Sequence, residues 1–199
     1  MKYSRISKDA FEQMQADTGT LLKSFDPANP SLIDENIITA TTGGITIACV
    51  PTYSDWGEDI DNVPNNMKEF KHLDSWECTI DTTALDISTG MLRLALGAAD
   101  IDENKVTPRS FLKQTDFSEI WWVSDKVGGG FVACVLKNAL STGGISLQTS
   151  KNEKGQLSIT LTGHVSAENQ DEMPMEFYSI DADDTEGTQT LSLEKNYDY

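Results

Sequence analysis

The stretch "IITATTGGITIACVPTY" (37–53) indicates the fold of this chain of 199 residues. Apolar and hydroxyl side chains alternate along it with period two, which is the side-chain period of a β-strand. β-Branched residues, which favour strands, are frequent in it, and Gly43-Gly44 interrupt the alternation with a pair that permits a bend or bulge. The stretch therefore predicts a long β-strand that is bent at its glycines.

The phrase at the centre of this stretch is written twice, as "TTGGITI" (41–47) and "STGGISL" (141–147). After each Gly-Gly, apolar side chains take one face and hydroxyl side chains, including Thr46 and Ser146, take the other. Two explanations stay open: chance, because Thr, Gly and Ile are common in sheets, or two similar bent strands at equivalent places in two sheets. A phosphate-binding loop does not fit, because neither copy is followed by a lysine at Walker spacing or by a helix.

Period-two patterns continue on both sides of these copies and indicate about eight to ten strands. The predicted segments include 18–25, 67–81 with a bulge near Leu73, 116–125, 131–141, 156–167 and 174–180. One amphipathic helix is predicted over 86–100, with Ser88 as its N-cap, and a weaker helix over 8–16, while 102–110 is predicted to be a loop.

Strands and helices do not alternate along the chain, so the sheets are expected to be antiparallel. The fold class is therefore mainly β (α+β): an antiparallel β-sandwich or barrel with one flanking α-helix and a long inter-strand loop. Residues 1–180 are expected to form this one domain. Residues 181–199 hold six acids, one lysine and few apolar groups, and are expected to form a flexible acidic tail.

The formal net charge of −17 argues against direct binding of nucleic acid, which needs a basic surface. The sequence has no run of about 18 apolar residues and no apolar signal segment, so we expect no membrane insertion and folding in a cytoplasm. The three cysteines, Cys49, Cys78 and Cys134, each lie in an apolar or alternating run. Buried free thiols are the expectation for them.

Catalytic and ligand-binding motifs are missing from the sequence. Two histidines leave little room for a catalytic triad, and "DWGEDIDN" (55–62) does not follow the ligand order of a calcium loop. We therefore expect no enzymatic activity, no metal and no cofactor. Trp121 and Trp122 must point to opposite faces of their strand, one into the core and the other to an interface or a sugar-binding platform.

Five phrases, in this order, resemble the major tail tube proteins of long, non-contractile-tailed bacteriophages, especially those of Gram-positive hosts. They cover most of residues 7–180 and read "SKDAFEQMQADTGTLL" (7–22), "TTGGITIACVPTYSDWGEDIDNVPNN" (41–66), "WECTIDTTALDISTGMLRLALGAADI" (76–101), "DFSEIWWVSD" (116–125) and "LKNALSTGGISLQTSKNEKGQLSITLTGHVS" (136–166). The segment 181–199 lies outside the resemblance.

The resemblance implies a structural virion protein, assembled in the host cytoplasm, that polymerises into the tail tube. Subunits would join their sheets into rings, commonly of six, and the rings would stack through a loop at about 53–68. Trp56, Glu58, Asp59 and Asp61 are the interface residues expected in that loop. Thr46 and Ser146 are expected to face the lumen.

The partners implied are other copies of the chain and other tail proteins, such as the tape measure and the terminator. DNA would pass through the lumen during ejection without specific binding. Two alternatives stay open: another tail component of similar fold, namely a tail terminator, connector or baseplate hub, or a carbohydrate-binding β-sandwich module.

Overall fold

The computed structural model describes residues 5–182, which form a mainly β structure with one α-helix. The strands are β1 (Thr20–Leu22), β2 (Thr41–Asp55), β3 (Lys71–Ala84), β4 (Ala99–Asp102), β5 (Lys105–Pro108), β6 (Ser118–Asp125), β7 (Phe131–Ser141), β8 (Ser146–Gln148), β9 (Gln156–Thr162) and β10 (Met175–Ile180). The helix α1 spans Thr89–Leu96, and 3-10 helices lie at Lys8–Ala10, Asp34–Asn36, Lys68–Phe70 and Gln114–Asp116. The predicted fold class is confirmed.

Eight strands form one antiparallel sheet with two halves that share β7. In the first half, β7 pairs with β6 and β10, and β1 pairs with β6. In the second half, the strand order is β2-β3-β9-β8, and the last two residues of β7 also pair with β9. We call this second half the β3 half and the first half the β7 half.

The two halves pack face to face, as the layers of a β-sandwich do. One cluster of buried side chains draws on both halves: Leu21, Cys78, Ile80, Ile120, Trp122, Cys134, Leu136, Ala139, Leu161 and Met175. The helix α1 adds Met91 and Ala95 to a second cluster with Ala84, Leu157 and Ile159 of the β3 half. The helix therefore covers the inner face of the β3 half next to the main core.

The other face of the β7 half is covered by the segment that follows β1. Phe25 from this segment packs on Trp121 and Phe131, with ring centroids 5.7 and 5.4 Å apart. Both neighbouring tryptophans are buried, Trp121 to 6% exposure on this face and Trp122 to 9% in the main core. The expectation that one of the two rings is exposed is wrong, and this pair offers no sugar-binding platform.

The first Gly-Gly forms a bulge inside β2. The register with β3 shifts between Thr42 and Ile45, and Gly43 and Gly44 have φ values of +76° and +93°, a region that other residues enter only with strain. The second Gly-Gly lies between β7 and β8 and ends one strand before the next begins. The two copies flank one sheet, since β2 and β8 lie on opposite sides of the β3–β9 pair. Equivalent places in two sheets are therefore not what the structure shows.

The helix prediction over 86–100 is right in type and too long. Ser88 caps the helix by accepting a hydrogen bond from the Met91 N–H (3.3 Å), and Gly97, with φ +71°, ends it. Residues 99–108 then form the β4–β5 hairpin, where the sequence predicted the end of a helix and a loop. The weaker helix predicted over 8–16 is a single 3-10 turn at Lys8–Ala10.

No helix among residues 5–182 has the length and the apolar character that a membrane span requires. The predicted acidic tail, apart from Asp181 and Ala182, lies outside the described residues.

Candidate assembly surfaces

Strands β2 and β3 continue beyond the sheet as a two-stranded arm, residues 50–55 and 71–77. β9 pairs with β3 only from Thr79 onward, so the arm has no third strand. Residues 71–77 are all exposed, whereas 78–84 alternate between buried and half-buried. A two-stranded hairpin is marginally stable alone in water. The arm would therefore gain stability from a partner surface.

One face of the arm is apolar and open to solvent. Pro51 lies opposite Trp76, and Tyr53 lies opposite Leu73. Tyr53, Leu73 and Trp76 are 52, 42 and 36% exposed. A bulge at Asp74, next to Leu73 as predicted, puts Leu73 on the same face as Trp76. Neighbouring exposed apolar groups of this kind mark interaction surfaces.

The loop at the end of the arm, residues 56–70, carries Trp56. The residue is 65% exposed. Its ring stacks on the ring of His72, with the two centroids 4.4 Å apart and an interplanar angle of 27°. Asp55 closes the loop by accepting hydrogen bonds from the N–H groups of Gly57 and Asn66, both at 2.9 Å. The tryptophan is thus presented from a hydrogen-bonded turn.

Glu58, Asp59 and Asp61 lie beside Trp56 and are exposed. Within residues 5–182, none of these three carboxylates pairs with a cation or accepts a hydrogen bond. The four interface residues predicted from the sequence are therefore brought together at one end of the molecule, with their negative charge uncompensated.

The outer face of the β3 half is lined by hydroxyl groups, and we call it the hydroxyl face. Cross-strand pairing puts Thr46 opposite Asp81 and Asp81 opposite Thr160, and Ser146 opposite Ser158. Because paired residues share a face and every second residue returns to it, Thr46 and Ser146 lie on the same face of one sheet. The face includes Thr46, Thr79, Asp81, Thr83, Ser146, Ser158, Thr160 and Thr162, with Glu77 at its border, and the apolar residues Ala48 and Val50 of β2 also lie on it.

Asp81 is the acid at the centre of the hydroxyl face. Its carboxylate accepts a hydrogen bond from Thr160 Oγ1 at 2.5 Å and a longer one from Thr79 Oγ1 at 3.5 Å. The negative charge of the hydroxyl face comes from β3, through Asp81 and Glu77. The "TIDTT" alternation (79–83) could have shown that Asp81 shares a face with hydroxyl groups.

The β3 half ends in two open edges, one on β2 and one on β8. The Gly163 N–H donates to the Cys78 carbonyl at 3.0 Å, so the main-chain groups of Cys78 point toward β9 and away from β2. By alternation, the odd-numbered residues of β2 around Cys49 point their main-chain groups out of the sheet, where no strand of the described chain pairs with them. On β8, the main-chain N–H and C=O groups of Leu147 point out of the sheet, because its neighbours Ser146 and Gln148 direct their main-chain groups toward β9.

Few other groups of the described chain suggest chemistry. Residues 5–182 contain no cluster of three or more potential metal ligands. Cys78 and Cys134 are buried free thiols as expected, whereas Cys49 is half-buried and its sulfur lies next to that of Cys78.

No protein-family model matches the chain, and no curated protein matches it. Solved chains that are similar to it include one from the virion of a native gene transfer agent particle and one from the tail of an empty gene transfer agent particle with C6 symmetry. Each has 10% sequence identity and a TM-score of 0.38, and each alignment covers 81% of this chain and 96% of the other.

Proposed function

We propose that this chain is a structural protein of a phage tail that polymerises as stacked rings of six subunits into the tail tube. The observation that carries the proposal is the open edge of β2. This strand has 15 residues, far above the usual five or six, and no Lys or Arg along its length. Natural monomers protect long edges with charges, prolines or cover, and β2 has only Pro51, the Gly-Gly bulge and the single charge of Asp55 at its end. Such an edge fits pairing with another copy.

The direction of the strands is compatible with ring closure. Three antiparallel steps separate β2 from β8, so these two strands run antiparallel to each other. If β2 of one subunit pairs with β8 of the next, the joined sheet stays antiparallel throughout. Such a head-to-tail contact generates a closed ring when the rotation between neighbouring subunits is a whole fraction of 360°. Six copies of a four-stranded layer would make a barrel of about 24 strands, wider than the 16–18-stranded barrels that already hold an aqueous channel.

In this proposal the hydroxyl face lines the lumen, because Thr46 and Ser146, the two residues expected to face it, both lie on this face. It offers hydrogen-bonding groups and the carboxylates of Asp81 and Glu77, with no cation among its members. A basic wall would bind DNA tightly through counterion release, whereas an acidic wall repels phosphate and leaves the duplex free to slide. Screening limits this repulsion to roughly 10 Å at 0.1 M salt, so only charges on the wall itself act on the DNA.

The arm would form the contact between rings. Trp56, Tyr53 and Trp76 are large side chains of the kind that dominate binding energy at interfaces, and all three are exposed in the single chain. Glu58, Asp59 and Asp61 surround that contact with negative charge, which suits a partner surface with basic groups.

The test is to delete residues 55–62 and compare sedimentation of the purified proteins as their concentration rises. We expect the wild-type chain to form rings or tubes and the deletion variant to stay a folded monomer by circular dichroism. Trp56→Ala is the matched point variant, which should keep the fold and raise the concentration needed for assembly about tenfold or more. Normal polymerisation of the deletion variant would contradict the role of the loop. A wild-type chain that stays monomeric at every concentration and salt would contradict the proposal as a whole.

Stoichiometry separates the tube from the other tail components that share such a fold. A tube protein is among the most abundant proteins of a virion, whereas a terminator, a connector or a baseplate hub is present in few copies. In this proposal the chain has no enzymatic role, contacts the tape measure and terminator proteins, and lets DNA pass without specific binding.

A further inference from the structure

Cys49 and Cys78 lie directly opposite each other on β2 and β3. Their sulfur atoms are 2.8 Å apart. Because the main-chain groups of Cys78 point toward β9, this is a non-hydrogen-bonded cross-strand pair, the kind whose Cα atoms approach to about 4.5 Å and whose side chains lie closest. That separation falls within the Cα range of about 4.4–6.8 Å seen in disulfides.

The pair marks the place where the arm leaves the sheet. Cys78 bonds through its carbonyl to Gly163, just after β9, and beyond this rung β3 has no partner except β2. Cys78 is fully buried in the core between the two halves, and Cys49 is half-buried at its border. Of the two cysteines, Cys49 is therefore the more accessible to a small reagent.

We infer that Cys49 and Cys78 form an oxidative modification site that closes into a cross-strand disulfide at the base of the arm. A low-molecular-weight disulfide such as oxidised glutathione is the oxidant. The Cys49 thiolate attacks one sulfur of the reagent, which forms a mixed disulfide and releases one glutathione thiolate. The Cys78 thiol then loses its proton and attacks the Cys49 sulfur, which releases the second glutathione. Two protein thiols are oxidised and one glutathione disulfide is reduced to two thiols.

The environments of the three cysteines set the order of these steps. Burial, with the neighbouring Cys49 sulfur as a smaller cause, raises the pKa of Cys78 to about 12, so this group is a protonated thiol at neutral pH. Burial also raises the pKa of Cys134 to about 12, and within residues 5–182 its thiol is free and has no cysteine partner of the kind that Cys49 and Cys78 form. Cys49 is thus the entry point, Cys78 the resolving group and Cys134 the inert internal control.

This reaction is a property of the single chain, whether or not it assembles. In a reducing cytoplasm the thiols stay free, and in an oxidising medium the bridge would cross-link the two strands where the arm begins. The closed loop includes the whole arm and its acidic end. We expect the bridge to limit the angle between the arm and the sheet.

The experiment incubates the folded full-length chain with oxidised glutathione, blocks the remaining thiols with N-ethylmaleimide, and maps the disulfides by mass spectrometry after digestion. We expect a peptide that contains Cys49 joined to one that contains Cys78, with Cys134 carrying the maleimide. The melting temperature should rise by about 5–10 °C, the size expected for closing a loop of about 30 residues in a chain of this length, and reduction should reverse it.

Variants separate the two steps. Cys78→Ser should retain glutathione on Cys49, Cys49→Ala should keep both remaining thiols free, and Cys134→Ala should still form the bridge. If a buried substitution unfolds the protein, the disulfide mapping on the wild-type chain still tests whether Cys49 and Cys78 form the bridge. Three free thiols after oxidation, glutathione left on Cys49 of the wild-type chain, or disulfides only between chains would each overturn the inference.

Discussion

Asp81 illustrates how one side chain sets the electrostatic character of a surface. It stands opposite Thr46 on one neighbouring strand and Thr160 on the other, and the Thr160 hydroxyl donates to it at 2.5 Å. The hydrogen bonds hold the carboxylate on the hydroxyl face, and no cation of residues 5–182 forms an ion pair with it. Any polyanion that passes close to this face would meet a fixed negative charge in every subunit.

The hydroxyl face can be tested by adding positive charge to it. In the double variant Thr46→Lys/Ser146→Lys, both side chains are exposed, so the subunit should fold and virions should assemble. DNA ejection from these virions should slow, because lysines on the wall bind phosphate, and it should slow more at low ionic strength. Thr46→Gln/Ser146→Gln is the neutral control. Ejection that is equal in the two variants at every salt concentration would show that this face does not line the lumen or that its charge is irrelevant.

Among the elements, β2 has the clearest consequence for assembly. Ile47 is one of the odd-numbered residues whose main-chain N–H points away from β3 and out of the sheet. Its side chain packs, half-buried, against the main core. The N–H and the side chain can therefore be removed separately.

Ile47→Pro removes the outward N–H and the side chain, and Ile47→Ala removes the side chain alone. Both should lower the stability of the subunit, by about 1–2 kcal/mol for the side chain of a half-buried isoleucine. If main-chain pairing along β2 joins subunits, only the proline variant should fail to polymerise at concentrations where the wild-type chain does so. Sedimentation of the two variants, with thermal melting to confirm their folds, measures this. Equal polymerisation would count against pairing at this edge.

Lys137 of β7 connects two elements through a cluster of charges. Its ammonium donates to Glu176 of β10 at 2.5 Å and to Glu172 in the preceding loop. The lysine lowers the pKa of both carboxyls below their usual 4.5, and the hydrogen bonds to Glu172 and then Glu176 raise the pKa of Lys137 above 10.5. The cluster therefore stabilises the folded chain fully between these two values.

As the pH falls below about 4.5, the unfolded chain takes up protons before the folded one does, so this contribution is lost on the acid side. We expect Lys137→Met to flatten the dependence of melting temperature on pH between about 3 and 5 relative to the wild-type chain. Lys154→Met, which changes an exposed lysine without a carboxylate partner in the described part of the chain, should leave the dependence unchanged. Identical pH profiles for all three proteins would refute a role of the cluster in stability.

The elements that the sequence predicted correctly are those whose signals are local. Ser88 as a helix cap, the Gly-Gly bulge and the bulge near Leu73 follow from propensities and periodicity within a few residues. The β4–β5 hairpin was missed because its strands have four residues each and the apolar pattern of the helix runs into the first of them. The Cys49–Cys78 contact could not be predicted either, because it depends on the register between β2 and β3, which the sequence alone does not determine.

Across the molecule as a whole, the structure separates three surfaces that the proposed tube would use. The open edges of β2 and β8 lie on opposite sides of the β3 half, the hydroxyl face covers its outer surface, and the arm extends the β2–β3 pair beyond it. The predicted residues fall on the last two of these surfaces, Thr46 and Ser146 on the hydroxyl face and the Trp56 group at the end of the arm. The sequence placed each group on a strand or loop, but only the strand order shows which groups share a surface.

The most direct test of self-assembly through the sheet is electron cryomicroscopy of the purified full-length chain after concentration. We expect tubes of uniform width in which β2 of one subunit lies within hydrogen-bonding distance of β8 of the next. The hydroxyl face, with Asp81 at its centre, should line the lumen. Only monomers at every concentration and salt, or tubes in which the hydroxyl face points outward, would contradict assembly through the sheet.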